Sequence, residues 1–248
     1  MRLARTYEQA RQDMKSFATE TFWGDVCTYF QEFGGKRPSP QAFTVEQGAK
    51  AVLDTHFHRQ HQFQVVFRGA GLLGRHPLAP FTIHYASPES GYGPVVAGDS
   101  GLAYLTLRAV SEEGSQFLPA MRDSMRKGLA KRQMTLSVPA LSDPNALAAL
   151  ASPRIEDIIV PDDSGLAAWL ARLPAHARLP MPMTPQRGGT FCVAAQGSML
   201  IDGKDMPTLS TAFISADEPE ATLAAGAGGL EVLVLQFPAA AIAAPEAA

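Results

Sequence analysis

Two regions of the chain show short apolar runs separated by turn-forming residues. The first extends from Ala42 to about Val110 and the second from Ile158 to Phe237, and in both the runs have the length of single strands broken by Gly and Pro. Several short strands at such spacing are typical of a sandwich or a barrel. The hydrophobic pattern therefore predicts a mainly all-β protein.

The N-terminal segment has a different pattern. Residues 6–20 carry Gln, Glu, Ala, Met and Lys at helical spacing, and an aromatic stretch follows until Gly34 and Gly35 interrupt it. We interpret residues 1–41 as an N-terminal helix and packing arm.

Residues 111–157 also predict helices, and we interpret them as a connector. Ser115–Arg132 has a helical pattern, and the segment Ser142-Asp-Pro-Asn provides an N-cap for a second helix over Ala146–Ala151. The last segment, 239–248, is a low-complexity tail rich in Ala, for which we predict no element.

The second β region repeats the first at an offset of 128 residues without a gap. The following pairs coincide at this offset: Gly69 and Gly197, Leu72 and Leu200, Tyr85 and Phe213, Ser87 and Ser215, Gly98 and Gly226, Gly101 and Gly229. A repeat of this length predicts two similar β units in tandem. We therefore place a first barrel at 42–110 and a second at 158–238.

Composition and charge exclude some partners. The chain has 248 residues, of which 46% are hydrophobic and 18% charged, and these values are ordinary for a globular protein. A net charge of −3 gives no long-range attraction to nucleic acid or to an anionic membrane, so neither is an expected partner. The basic residues between Arg122 and Arg132 are interrupted by Asp123, and we interpret them as a solvated helix face.

The cysteines and the apolar segments predict a location. Cys27 and Cys192 are isolated thiols, and a chain of this length does not need a disulfide for stability. The N-terminus has no apolar segment of the kind that a secretory signal requires, and no run of 18 apolar residues follows. We therefore expect a cytoplasmic protein.

The candidate chemistry is concentrated in one predicted hairpin. His56 and His58 are two residues apart and share one face of a strand, and Gln62 and Gln64 share a face on the next. Buried polar groups cost free energy unless they find partners or a metal. This cluster therefore indicates a site inside the first barrel.

The spacing of these residues resembles the first motif of the cupin family. That motif reads His-x-His, three or four residues, Glu, six residues, Gly, and here His56, His58, Gln62 and Gly69 keep the spacing with Gln in place of Glu. The segment from Ala86 to Gly101 resembles the second motif, with Tyr92 where the family has a metal-binding His. The resemblance implies tandem double-stranded β-helix barrels, a bicupin.

The resemblance also implies a divalent transition metal, Zn, Fe, Ni or Mn, held by His56, His58 and Gln62. Gln64, His84 and Tyr92 are additional candidates for ligands or for the pocket. Tyr92 could instead act as a catalytic acid or base or pack as an aromatic side chain, and the facing of His84 is undecided.

The second barrel lacks these ligands. At the offset of 128, His56, His58, Gln62 and Tyr92 correspond to Thr184, Gln186, Thr190 and Glu220. We therefore expect a degenerate second barrel without a metal.

Two functions agree with this pattern. One is a metal-dependent enzyme acting on a small molecule, as a dioxygenase, isomerase, decarboxylase or lyase, and the other is a non-enzymatic protein that binds or senses a small molecule with a decayed metal site. Barrels with bare strand edges tend to associate, so we also expect a homodimer.

Overall fold

The computed structural model describes residues 2–33, 39–185, 187–218 and 220–242. Two compact units are present, one formed by Ala10–Ser137 and the other by Met1–Gln9 together with Val138–Ala248. Each unit is built around β-sheets, which confirms the prediction of a mainly all-β protein. Within the described ranges, no helix is long and apolar enough to span a membrane.

The chain begins with a short strand and a short helix. Strand β1 (Arg2–Arg5) precedes helix α1 (Tyr7–Arg11). The N-terminal helix is therefore present but is shorter than the predicted 6–20. Residues Lys15–Ala18 instead form a strand that pairs with the aromatic strand Trp23–Phe30, so tertiary pairing outweighs helix propensity here. Gly34 and Gly35 lie outside the described residues.

The first unit contains the strands that build the first barrel. They are β2 (Lys15–Ala18), β3 (Trp23–Phe30), β4 (Gln41–Gln47), β5 (Val52–Leu53), β6 (His56–Phe57), β7 (Gln62–Leu73), β8 (His76–Leu78), β9 (Thr82–Ala86), β10 (Val95–Arg108), β11 (Gln116–Phe117) and β12 (Gln133–Ser137). Its main sheet has the order β12-β9-β7-β10-β4-β3-β2, while β11 pairs with β6. The long strands β7 and β10 pair with each other and carry the inward-facing side chains of the site.

The second unit combines the N-terminal strand with the second half of the chain. Its further strands are β13 (Arg154–Ile159), β14 (Ala167–Leu173), β15 (Arg178–Pro180), β16 (Thr190–Ile201), β17 (Lys204–Pro207), β18 (Thr211–Ile214) and β19 (Thr222–Gln236). Its sheet has the order β1-β18-β16-β19-β14-β13, so β1 forms an edge of the second barrel.

The tandem repeat predicted from the sequence is present in the backbone. Strands β7 and β16 begin and end at positions that differ by 128. Gly69 and Gly197 have positive φ angles of 78° and 71°, and a Cβ atom at either would lie 2.1 Å from the carbonyl oxygen of Gly101 or Gly229. Only glycine fits both requirements, which explains why these residues coincide at the offset.

One predicted helix is wrong. Ser115–Arg132 contains the short strand β11 and a single 3-10 turn, Arg122–Ser124, and is otherwise irregular. Pro119 has no N–H for a helical hydrogen bond, and Gly128 takes a positive φ of 79°, so a continuous helix is interrupted at two places.

The second helix of the connector is present, but it covers Pro144–Ala148 instead of the predicted Ala146–Ala151. Helix α2 (Pro144–Ala148) begins after Asp143, whose carboxylate accepts hydrogen bonds from the backbone N–H groups of Asn145 and Ala146. In the tail, Ala239–Ile242 forms a 3-10 turn, and residues 243–248 lie outside the described residues.

Candidate functional site

The polar residues singled out in the sequence lie inside the first barrel. His56, Gln62 and His84 expose 1%, 1% and 3% of their surfaces, and His58, Gln64 and Tyr92 are also buried. Strand β6 is joined to Tyr92 by two backbone hydrogen bonds of 3.0 and 3.1 Å with His56. The structure therefore brings the six candidate residues into one interior cluster, and it turns His84 inward.

His56 has a fixed orientation and stays neutral. Its Nδ1 lies 2.7 Å from the carbonyl oxygen of Asp54, which can only accept, so Nδ1 carries the proton and Nε2 is left as an acceptor. Burial, together with the neighbouring charge on His58, lowers the pKa of His56 to about 3.

Arg108 is the centre of the cluster, although the sequence motif does not include it. Its Nε and Nη2 donate to Gln62 Oε1 at 2.9 and 2.6 Å, its Nη1 donates to Gln41 Oε1 at 2.6 Å, and its Nη2 lies 3.2 Å from both ring nitrogens of His58. Gln62 in turn donates through Nε2 to the Tyr92 hydroxyl at 2.6 Å. Burial raises the pKa of Tyr92, so its phenol is neutral.

A buried carboxylate balances the charge of Arg108. Glu112 Oε2 lies 3.6 Å from His58 Nδ1, and the Glu112 carboxylate accepts from the backbone N–H groups of Arg59 and Gln60 at 2.8 and 3.2 Å. Burial would raise the pKa of Glu112, but its contact with His58, the backbone N–H of Arg59 and the charge of Arg108 together lower it. Burial and the charge of Arg108 also lower the pKa of His58.

A second polar group lies deeper in the barrel. His84 Nδ1 is 3.0 Å from Thr135 Oγ1, and burial lowers the pKa of His84 to about 4. His84 Nε2 and the Tyr104 hydroxyl have no hydrogen-bond partner among the described residues, and both side chains border a space of about 10 Å³. This volume is close to that of one water molecule.

A cavity of about 700 Å³ opens onto the cluster. Its polar lining includes His56, Gln62 and Arg108, and the charged residues Lys15, Glu112 and Glu113 also border it. The apolar part of its wall is formed by Phe17, Phe22, Val26, Phe33, Phe43, Val45, Leu53 and Phe117. The volume and the combination of an apolar wall with polar groups are those of a small-molecule site.

Sequence reasoning missed Arg108, Glu112 and Gln41. Arg108 could have been found from strand β10, because Tyr104, Thr106 and Arg108 alternate and so share one face. Gln41 and Glu112 lie outside or at the limits of the predicted barrel, and no local pattern indicated that they turn inward.

The donor set does not fit a divalent metal in this arrangement. Gln62 Oε1 already accepts two hydrogen bonds from Arg108, and the Tyr92 phenol is neutral. The guanidinium beside His58 and Gln62 would repel a cation at the same place. Within the described ranges, no group of three or more His, Cys, Asp or Glu side chains is arranged to hold a metal ion. The metal-ligand roles of His56, His58 and Gln62 stay predictions.

The corresponding positions of the second barrel have other side chains and other bonds. Gln236 occupies the position of Arg108, and it donates to the Thr184 hydroxyl at 2.5 Å and to the carbonyl oxygen of Gly165 at 2.6 Å. Thr190, at the position of Gln62, is fully buried. Gln186, at the position of His58, lies outside the described residues.

The fold is that of the cupins, and the chain contains two such barrels in tandem. Neither a protein-family model nor a curated protein sequence matches the chain significantly. Solved structures match almost all of its length at low sequence identity.

One is the bacterial pirin YhhW of Escherichia coli in complex with nickel(II), with a TM-score of 0.58, 12% identity and coverage of 96% of this chain and 99% of that chain. Another is salicylate 1,2-dioxygenase of Pseudoaminobacter salicylatoxidans with gentisate adducts, with a TM-score of 0.56, 9% identity and coverage of 95% and 81%. A third is Bacillus subtilis oxalate decarboxylase, which has Mn(II) centres, with a TM-score of 0.53, 11% identity and coverage of 96% and 77%.

Proposed function

We propose that the first barrel binds a small organic molecule in its cavity and does so without a metal. The observation that carries this proposal is Arg108, whose guanidinium is held among His58, Gln62 and Gln41 where the cupin motif predicts a cation. In this proposal the positive charge of the site is supplied by an arginine side chain and not by a bound metal ion.

The ligand of this site is a neutral molecule with an aromatic or otherwise apolar body. The five N–H groups of an arginine all find protein acceptors here, in Gln62, Gln41, His58 and the carbonyl oxygen of Glu112, so none is left for a carboxylate. The nearby Glu112 carboxylate also repels an anion.

One polar group of the ligand would face His56. The ring of His56 lines the cavity, and its Nε2 is an acceptor because Nδ1 donates to Asp54. A hydroxyl or N–H on the ligand satisfies this nitrogen, while Phe17, Phe22 and Phe43 contact the apolar body.

The experiment compares two probes of the same size, 2-naphthol and 2-naphthoate, by isothermal titration calorimetry on the full chain. We expect 2-naphthol to bind more tightly than 2-naphthoate by about tenfold or more, which corresponds to about 1.4 kcal/mol. His56→Phe keeps the ring volume and removes the acceptor, so it should abolish most of this preference. Equal or tighter binding of naphthoate contradicts the proposal.

The matched control is His76→Phe. His76 is exposed and lies outside the cavity, so the same exchange there should leave the preference for 2-naphthol unchanged. A parallel loss in both variants would show that the effect does not arise at the site.

The second candidate is a metal-dependent enzyme, and the juxtaposition of His56 and His58, 5.2 Å apart between ring centroids, favours it. Elemental analysis of the purified protein separates the two candidates. A stoichiometric transition metal that survives dialysis against a chelator and is lost in His56→Phe would replace the first proposal with the second. Gln62→Glu combined with Tyr92→His should raise metal retention in either case, since both changes add ligands that divalent metals prefer.

A further inference from the structure

The second barrel has a cavity of its own. It has a volume of about 540 Å³ and is lined by residues of the second unit. Its inner wall is formed by Met181, Cys192, Met199, Ala212 and Leu223, each no more than 5% exposed. These side chains belong to the core of the barrel, so the cavity reaches the interior.

Comparison with the first barrel explains why this space is open. Three bulky polar side chains of the first barrel are replaced at the offset of 128, and the pairs are Gln64 and Cys192, His84 and Ala212, Tyr92 and Glu220. In the first barrel, the space bordered by Gln64 and His84 is only about 10 Å³. The counterparts of the outer lining residues, among them Gly74 and Tyr92, border a separate space of about 330 Å³. Shorter side chains at Cys192 and Ala212 therefore leave one larger cavity that extends into the interior of the second barrel.

The chemistry of the cavity selects an uncharged guest. None of the buried lining residues carries a charge, and the thioethers of Met181 and Met199 adapt to apolar shapes. The rim carries two cations, Arg2 and Arg178, and two anions, Asp202 and Glu220, so it has no net preference for an ion. The buried inner wall is apolar, so an apolar occupant gains stability by covering it.

We propose that the second barrel is a binding site for a neutral, apolar molecule with one or two rings, separate from the site of the first barrel. The loss of the polar side chains in this repeat thus created a different specificity. The site uses residues of β15, β16, β18 and β19 and of the N-terminal strand β1.

The experiment titrates the full chain with the neutral fluorescent probe N-phenyl-1-naphthylamine and measures the number and affinity of its sites. Ala212→His introduces the side chain of the first barrel at the matched position and should remove one site or weaken it about tenfold or more. Cys192→Gln introduces the residue found at position 64 and should have the same effect. Unchanged numbers and affinities in both variants would overturn the proposal, as would the lack of any site that responds to Ala212.

Two controls keep the test independent of folding and of the first barrel. Ala151→His makes the same exchange at an exposed position of the second unit and should leave binding unchanged. Urea unfolding followed by Trp169, a core residue of the second barrel, identifies any variant that fails to fold. Ala224→Val, which imports the residue at position 96, then replaces such a variant in the titration and should weaken the same site. The part of 2-naphthol binding that His56→Phe removes should be the same in these variants as in the natural chain, so the two proposals fail separately.

Discussion

The two barrels share a backbone and differ in their interiors. Strands β7 and β16 have the same length and an exact counterpart at each position, and the glycine pairs Gly69–Gly101 and Gly197–Gly229 make the same close approach. The first barrel encloses an arginine, histidines and glutamines, whereas the second encloses mostly Ala, Val, Leu and Met. The features that the two barrels share, the close approach of the paired glycines and the apolar strands, therefore specify the fold. The polar cluster is present only in the first barrel and belongs to its site.

The largest difference between the barrels should appear when the last residue of the long strand, Arg108 in β10 or Gln236 in β19, is replaced by an apolar one. Arg108→Leu leaves the Glu112 carboxylate without its neighbouring cation, removes both Arg108 hydrogen bonds from the Gln62 oxygen and leaves the Gln41 oxygen only the backbone N–H of Glu112 as a donor. We therefore expect a loss of about 3–5 kcal/mol in the stability of the first barrel. Gln236→Leu removes only neutral hydrogen bonds from the second barrel and should cost about 1–3 kcal/mol.

Urea unfolding with one tryptophan per chain measures each barrel separately. The chain has two tryptophans, Trp23 in the first unit and Trp169 in the second, so Trp169→Phe and Trp23→Phe each leave one reporter. Equal losses of stability in the two barrels would mean that the buried charge of Arg108 contributes no more to stability than the neutral side chain of Gln236.

The next largest difference between the barrels should appear in their stability at acid pH. Burial lowers the folded-state pKa of His56 to about 3 and of His61 and His84 to about 4, against about 6.5 for an unfolded histidine. Above pH 6.5 both states are neutral and stability is complete. As the pH falls below 6.5, the unfolded state binds protons that the folded state does not, so stability is lost at up to about 1.4 kcal/mol per pH unit for each histidine until the folded pKa is reached.

The second unit has a single histidine, His176, which is exposed. We therefore expect the Trp23 transition to move to lower urea concentration between pH 6.5 and 4 by much more than the Trp169 transition. Parallel shifts of the two transitions would show that the buried histidines do not control the acid response.

The smallest difference should be found at the paired glycines. Gly69→Ala and Gly197→Ala each place a Cβ on a residue with positive φ and within 2.1 Å of a carbonyl oxygen, so each should destabilise its own barrel by about 2 kcal/mol or more. The same two reporters measure the effect. A large loss of stability in one barrel with none in the other would contradict the conclusion that the two barrels share the same backbone conformation at these glycines.

The sequence predicted the repeated features well because they depend on local rules. A glycine with positive φ, an alternating strand and an N-cap such as Asp143 are each specified by a few neighbouring residues. The polar face of β6 and β7 could be predicted in the same way. The role of Arg108 could not, since it depends on Gln41 and Glu112, which lie 67 and 4 residues away in sequence and meet it only in the folded barrel.

The predicted helix at Ser115–Arg132 failed for a related reason. Its charged residues have a helical spacing, but Arg126 donates to the buried carboxylate of Glu89 at 2.7 Å and to the carbonyl oxygen of Arg59 at 2.8 Å. These contacts hold the segment against the first barrel in an irregular path. Long-range hydrogen bonds of this kind leave no periodic trace in the sequence.

The N-terminal strand has a consequence for the order in which the protein folds during synthesis. Strand β1 leaves the ribosome before any residue of the first barrel, yet it pairs with Thr211–Ile214 of the second, Arg5 lying opposite Thr211. The first unit, Ala10–Ser137, is complete when about half of the chain has emerged. Strand β1 therefore cannot pair until Thr211–Ile214 have been synthesised. The segment between these two strands, which contains the first barrel, is then closed as a loop after the first barrel has already formed.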